Sequence, residues 1–223
     1  MTFKLFVGAI LKFILGVVLV GILIFLPAGT LEFFNGCLLM GILFVPMFLA
    51  GIVMMLKNPE LLKSRLVAKE KQKDQSIVVN LSGLMFLAGF IVAGLGFRFN
   101  WFVLPKGVAI GASVVFLVAY VLYAEVLREN TYLSRTITVQ KNQKVIDTGL
   151  YGVVRHPMYS ATLLLFLSMP IVLGSIYSFV IFLAYPFIIA KRIKGEEKFL
   201  EKELAGYTEY KQKVKYRLIP FIW

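Results

Sequence analysis

The chain is 223 residues long, 59% apolar and only 16% charged, and 24 lysines and arginines against 12 acidic residues give it a net charge of +12. That composition excludes a disordered tail, which lacks apolar residues, and an ordinary soluble domain, in which charged residues make up about a quarter of the chain.

Five apolar blocks, 5–26, 37–56, 77–97, 107–124 and 160–190, hold about half the chain and a single charge, Lys12. A bilayer's hydrocarbon core is about 30 Å thick and takes roughly 20 consecutive apolar residues, a length that soluble core helices seldom keep apolar all round. The sequence therefore predicts an all-α integral membrane protein. The first block exceeds a signal peptide's apolar core of about 7 to 15 residues and reads as a true span. Cys37 stands alone within a span, and with one histidine in the chain no disulfide or metal site is expected.

The connecting segments sort by Lys and Arg count, the quantity that orients a membrane protein. Segment 57–76 carries six, 125–159 five and 191–223 nine, whereas 27–36 has none and 98–106 has only Arg98 and Lys106. The N-terminus and the three basic segments are expected in the cytoplasm, the cell interior beneath a bacterial inner membrane or an endoplasmic reticulum membrane. The Asn80-Leu81-Ser82 glycosylation triplet then lies at the cytoplasmic start of a helix. The positive charge reads as a topology signal, and no nucleic-acid partner is expected. Segment 57–76 reads as a surface loop attracted to anionic lipid.

The 31 residues of block 160–190 would make a straight helix far longer than the bilayer core. Gly174-Ser175 at its middle is a turn signal, so the block is expected to be a helical hairpin entering and leaving on the cytoplasmic side, with Pro170 and Pro186 kinking its arms. The expected fold is four transmembrane helices plus this C-terminal transmembrane hairpin, followed by an amphipathic cytoplasmic helix with Phe199, Leu200, Leu204 and Tyr207 on one face. Two regions follow: N-terminal helices over 1–128 and a functional region over 129–223. Gly107 and Gly111 form a G-x-x-x-G expected to pack closely on a neighbouring helix.

The spans carry almost no ionisable groups, which argues against a channel or ion-coupled transporter. Chemistry is expected where the membrane meets the two C-terminal basic segments. The first ends Gly149-x-Tyr151, then Arg155-His156-Pro157-Met158-Tyr159. Arg155 and His156 are either interfacial anchors beside a first-turn proline or an anion site at a helix start. The second begins Arg192-Ile193-x-x-Glu196-Glu197, where Arg192 and Glu196 share a helix face as a solvated ion pair or as part of a site.

In order, these motifs, with Tyr207-x-x-Tyr210 and Arg217-Leu218-Ile219-Pro220, resemble the isoprenylcysteine carboxyl methyltransferase family, within a wider group of membrane methyltransferases that includes the phospholipid N-methyltransferases. The resemblance covers about 130–223 and implies a protein-S-isoprenylcysteine O-methyltransferase-like activity. The implied cofactor is S-adenosylmethionine, lined by Gln140, Gln143, Lys144, Val145, Ile146, Tyr151, His156, Pro157, Met158 and Tyr159 and bound from the other side by Glu196. Arg192 is implied to orient the substrate carboxylate, and Arg192 and Glu196 are the implied catalytic pair. The implied partner is a lipophilic or lipid-tethered substrate in the bilayer. Ala161 departs from the family's usual glycine.

Methylation of a carboxylate needs no general base, because the nucleophile is already ionised near neutral pH. A phospholipid amine would need one, with Glu129, Glu196 and Glu197 as candidates. A sterol-type membrane reductase binding NADPH and an inactive adaptor are the competing readings.

Overall fold

The computed structural model describes residues 3–66, 73–101, 103–134 and 136–223. Helices α1 (Phe3–Ala28), α2 (Phe34–Lys57), α3 (Pro59–Leu66), α4 (Lys73–Arg98) and α5 (Lys106–Glu129) precede a 3-10 turn at Gly149–Gly152. Helices α6 (Pro157–Val172), α7 (Ile176–Phe182), α8 (Tyr185–Glu203) and α9 (Tyr207–Lys213) follow it, and no strand occurs among the described residues. Among the described residues, five stretches are long and apolar enough to cross a membrane: Leu5–Ala28, Phe34–Lys57, Gln75–Arg98, Lys106–Glu129 and Ile176–Glu203. The last spans α7 and α8. At 16 residues, α6 is shorter than the roughly 20 that a perpendicular crossing needs.

One core joins the helices. Ile24 of α1, Leu39 of α2, Phe90 of α4, Phe116 of α5, Phe182 of α7 and Ile193 of α8 are all buried in it. The remaining faces of α1 and α2 leave Leu15, Leu19, Leu26, Val45 and Leu56 exposed, as suits helices that face hydrocarbon. Close approach depends on a small residue at one crossing: a Cβ on Gly94 would stand 2.5 Å from the Ile24 carbonyl oxygen, so α1 and α4 meet there backbone to backbone. Gly107 and Gly111 were the glycines expected to do this. A Cβ on either would meet nothing within 4 Å, so that motif is not a packing seam within the chain.

Two ends of the bundle are distinct. At one, Gly174 (φ 73°) makes the turn between α6 and α7; its carbonyl accepts from Leu104 N at 2.9 Å, and it lies against the Asn35 side chain at the start of α2. At the other end, Lys12 Nζ donates to the Leu66 carbonyl at 2.8 Å and Ser64 Oγ to the Leu133 carbonyl at 3.1 Å.

Three local expectations need correction. Segment 57–76, whose residues 67–72 lie outside the described ones, is not a plain loop over 59–66. Asn58 Oδ1 caps α3 by accepting from Leu61 N at 3.1 Å, Pro59 occupies the first turn, where its missing N–H costs nothing, and Leu61 and Leu62 are buried. Pro186 does not kink a helix, because the chain breaks at Leu183-Ala184 and Pro186 stands in the first turn of α8. The amphipathic helix expected after the hairpin is the second half of α8 itself. Nothing in 187–203 stops the helix, which ends where Leu204 turns extended (φ −115°, ψ 107°), and Gly206, at a left-handed φ of 83°, then leads into α9.

Candidate functional site

At the end of the bundle that carries Ser64 and Leu66, the start of α6, the second half of α8, α9 and the segment 130–146 enclose a cavity. Its wall has two kinds of residue. Leu133, Val145, Ile146, Leu200 and Leu204 supply apolar surface, and Tyr159, Arg192, Glu196 and Tyr207 supply polar groups.

The polar side is built by helix phase. Arg192 and Glu196 are one turn apart on α8 and share the face that looks into the cavity. They are joined through a third residue: Tyr159 Oη accepts from Arg192 Nε at 2.9 Å and donates to Glu196 Oε2 at 2.5 Å. Tyr159 reaches them because Pro157 starts α6 without requiring an N–H partner, which fixes the first turn.

The residue after Glu196 does something different. Glu197 is 3% exposed and receives Arg155 Nε at 2.7 Å and Arg217 Nε at 2.9 Å, with His156 Nε2 at 3.4 Å. Arg155 Nη1 also donates to the carbonyls of Val214 at 2.6 Å and Lys215 at 2.9 Å. The backbone N–H groups of Arg155 and His156 donate to the carbonyls of Tyr216 and Arg217. This knot ties α6, α8 and segment 214–217 together. The place expected for an incoming anion beside Arg155 and His156 is thus taken by the chain's own Glu197, though both residues still border the cavity.

Tyrosines brace the remaining wall. Tyr210 Oη donates to the Tyr151 carbonyl at 2.7 Å, and Asn130 Nδ2 donates to Tyr151 Oη at 3.0 Å. Burial pushes the Tyr151 phenol above its ordinary pKa; the Asn130 hydrogen bond and, more weakly, the Arg65 guanidinium act the other way, and Glu196 and Glu129 add to the rise. Tyr207 is buried and its hydroxyl has no hydrogen-bond partner among the described residues. Desolvation pushes its pKa far up, so it stays a neutral donor.

Of the residues singled out in the sequence, Gln143, Lys144, Val145, Ile146, Tyr151, His156, Met158, Tyr159, Arg192 and Glu196 line this cavity. Gln140 and Pro157 lie outside its wall. Gln140 shapes the loop instead, with Nε2 donating to the Tyr132 carbonyl at 2.8 Å and its N–H to Gln143 Oε1 at 2.8 Å. Ala161 is buried within α6 and is also absent from the wall. Among the three carboxylates weighed for an amine acceptor, Glu196 alone borders the cavity. Glu197 is tied up, and Glu129 sits against Gly149 and accepts from Thr148 Oγ1 at 2.7 Å. Sequence reasoning missed Asn130 and the part Tyr207 plays. The signal for Tyr207 was its phase, one turn before Tyr210 past a glycine.

Fold and cavity define a multi-pass helical membrane protein with a polar site at one end of the bundle. Residues 107–205 match the family model for phospholipid methyltransferases. The chain is also similar to the Delta(14)-sterol reductase TM7SF2 of Mus musculus, with 29% identity over 91 residues, 40% of this chain and 22% of that protein. The chain therefore covers less than a quarter of this curated relative.

Proposed function

We propose that the chain is an integral membrane methyltransferase that uses S-adenosylmethionine on a lipophilic or lipid-tethered acceptor, with the carboxylate of an isoprenylcysteine-like thioether as the first acceptor to test. The observation that carries this reading is the Arg192–Tyr159–Glu196 chain on the wall of one cavity, within the segment that matches a methyltransferase family model.

The residues present suit the cofactor. Glu196 offers a carboxylate to an ammonium, Tyr207 offers a buried hydroxyl without a partner, and Leu200, Leu204, Val145 and Ile146 offer apolar surface to an adenine ring. When bound, S-adenosylmethionine supplies an electrophilic methyl group on a sulfonium sulfur. Arg192 presents a planar guanidinium that matches a carboxylate. Tyr159 links Arg192 and Glu196 through its hydroxyl, and the pair would thereby orient the acceptor relative to the cofactor's methyl group. The apolar part of the wall, Leu133, Val145, Ile146, Leu200 and Leu204, would exclude water from the attacking oxygen.

The family match favours a second acceptor, the amine of a phospholipid headgroup. In this cavity Glu196 would then serve both the cofactor's ammonium and the acceptor's proton, a double duty that a carboxylate acceptor does not impose. The sterol reductase likeness favours a third reading, with NADPH in the same cavity. Thermal shifts of the purified chain with S-adenosylhomocysteine and with NADPH separate the classes, and stabilisation by NADPH alone overturns the methyltransferase reading. Labelled methyl transfer into membrane lipid with and without farnesyl-cysteine then separates the acceptors, because a methyl ester is cleaved by base and an N-methyl group is not.

A further inference from the structure

The segment that sequence reading leaves as a basic surface loop sets one residue, Arg65, against Met158 of the cavity wall. In α3, Arg65 follows Leu61 by four residues and Leu62 by three, so it shares the helix face that these two buried leucines turn inward. Lys63 points the opposite way and is exposed. Arg65 Nη1 lies 3.7 Å from Met158 Sδ, its Nη2 donates to Tyr123 Oη, and its guanidinium carbon sits 5.6 Å from the Tyr123 ring centroid. Met158 is in the cavity wall and directly precedes Tyr159. The helix is clamped in place by Ser64 on the Leu133 carbonyl, Leu133 being another wall residue, and by Lys12 on the Leu66 carbonyl. The Arg65 charge is also felt by the Tyr151 phenol across the wall.

α3 begins two residues after the apolar helix α2 ends at Lys57, which places it at headgroup depth. An inward-facing guanidinium at that depth, beside the cavity wall, matches an oxyanion by its charge and by its planar set of N–H donors. We infer that Arg65 is a binding residue for the oxyanion of the membrane acceptor, a phosphodiester or a carboxylate, at the rim of the cavity. The inference rests on the methyl-transfer reading, and Arg65 lies outside the segment 107–205 that matches the methyltransferase family model.

The test uses the full chain in phosphatidylcholine nanodiscs as wild type, Arg65→Gln, Arg65→Lys and Lys63→Gln. One arm supplies phosphatidylethanolamine and the other a farnesyl-cysteine analogue, and the arm that wild type methylates identifies the source of the oxyanion. Arg65→Gln is expected to raise KM for that acceptor at least tenfold, with KM for S-adenosylmethionine changed less than twofold. Arg65→Lys should recover part of the loss, and Lys63→Gln should behave as wild type. Binding is read separately by titrating dihexanoyl-phosphatidylethanolamine and the farnesyl-cysteine analogue into each variant in neutral detergent. Arg65→Gln should bind the preferred ligand at least fivefold more weakly. Equal acceptor affinity in wild type and Arg65→Gln overturns the inference, as does an equal loss in Lys63→Gln or a parallel loss of S-adenosylhomocysteine binding. Absence of methyl transfer in both arms with the binding difference intact overturns the methyl-transfer reading instead.

Discussion

Tyr159 and Glu196 are joined by a hydrogen bond of 2.5 Å, and the same tyrosine oxygen accepts from Arg192 at 2.9 Å. A neutral hydroxyl therefore stands between a cation and an anion that would otherwise close on each other, and it keeps both facing the cavity.

Tyr159→Phe removes this spacer. Arg192 and Glu196 are then free to pair directly, which is geometrically natural at a spacing of four residues. Methyl transfer is expected to fall 10- to 100-fold with helical content unchanged by circular dichroism. Transfer within twofold of wild type would refute the spacer role.

Glu196 and Arg192 are expected to separate binding from transfer. Glu196→Ala should abolish the thermal shift given by S-adenosylhomocysteine, and Arg192→Ala should keep that shift and lose transfer. Equal cofactor binding by wild type and Glu196→Ala would reverse the assignment.

Glu197→Gln leaves two buried or half-buried arginines facing a neutral amide. Removing one partner of a buried charge cluster costs about 3 kcal/mol or more, so this variant should melt well below wild type. Arg155→Met combined with Glu197→Leu should recover part of the loss, because only the half-buried Arg217 then remains without its carboxylate. Unchanged melting of the single variant would show that the knot contributes little.

Tyr207→Phe should act in opposite directions on the free and the bound chain. Its hydroxyl is buried and unpaired, so its removal relieves a desolvation cost of about 1 kcal/mol. Melting of the ligand-free protein should rise slightly, and S-adenosylhomocysteine should bind roughly 5- to 10-fold more weakly, the equivalent of one hydrogen bond. Unchanged ligand affinity would remove Tyr207 from the site.

Gly89→Ala tests the packing. The added methyl would overlap the Phe182 ring, and that ring is fully buried. Overpacking of this kind costs about 1 to 3 kcal/mol, and Phe182→Leu in the same chain should relieve it. A melting temperature equal to wild type would show that Phe182 moves freely.

The long spans were legible because a run of apolar residues has one meaning in a bilayer, and the motif residues around α6 and α8 were legible by resemblance. What stayed hidden depended on direction. Arg65 sat among charges that all looked like solvent, and only the helical phase set by buried Leu61 and Leu62 turns it inward. The break at Leu183-Ala184 has no glycine to mark it, and Pro186, read as a kink, belongs to a helix start. Arg155 and His156 stayed open between interfacial anchors and an anion site because the partner that satisfies them, Glu197, is 42 and 41 residues away and its orientation is settled only by packing.

Glu196 and Glu197 are consecutive letters with separate duties, and each residue along α8 turns by about 100°. A one-residue deletion between Phe187 and Lys191 would carry Glu197 into the cavity position, Ile193 into the place of Arg192, and Lys198 against Arg155, His156 and Arg217. The helix can exchange side chains far more readily than it can change length, so natural variation in this stretch should consist of substitutions, with gaps confined to the turns at 183–184 and 204–206.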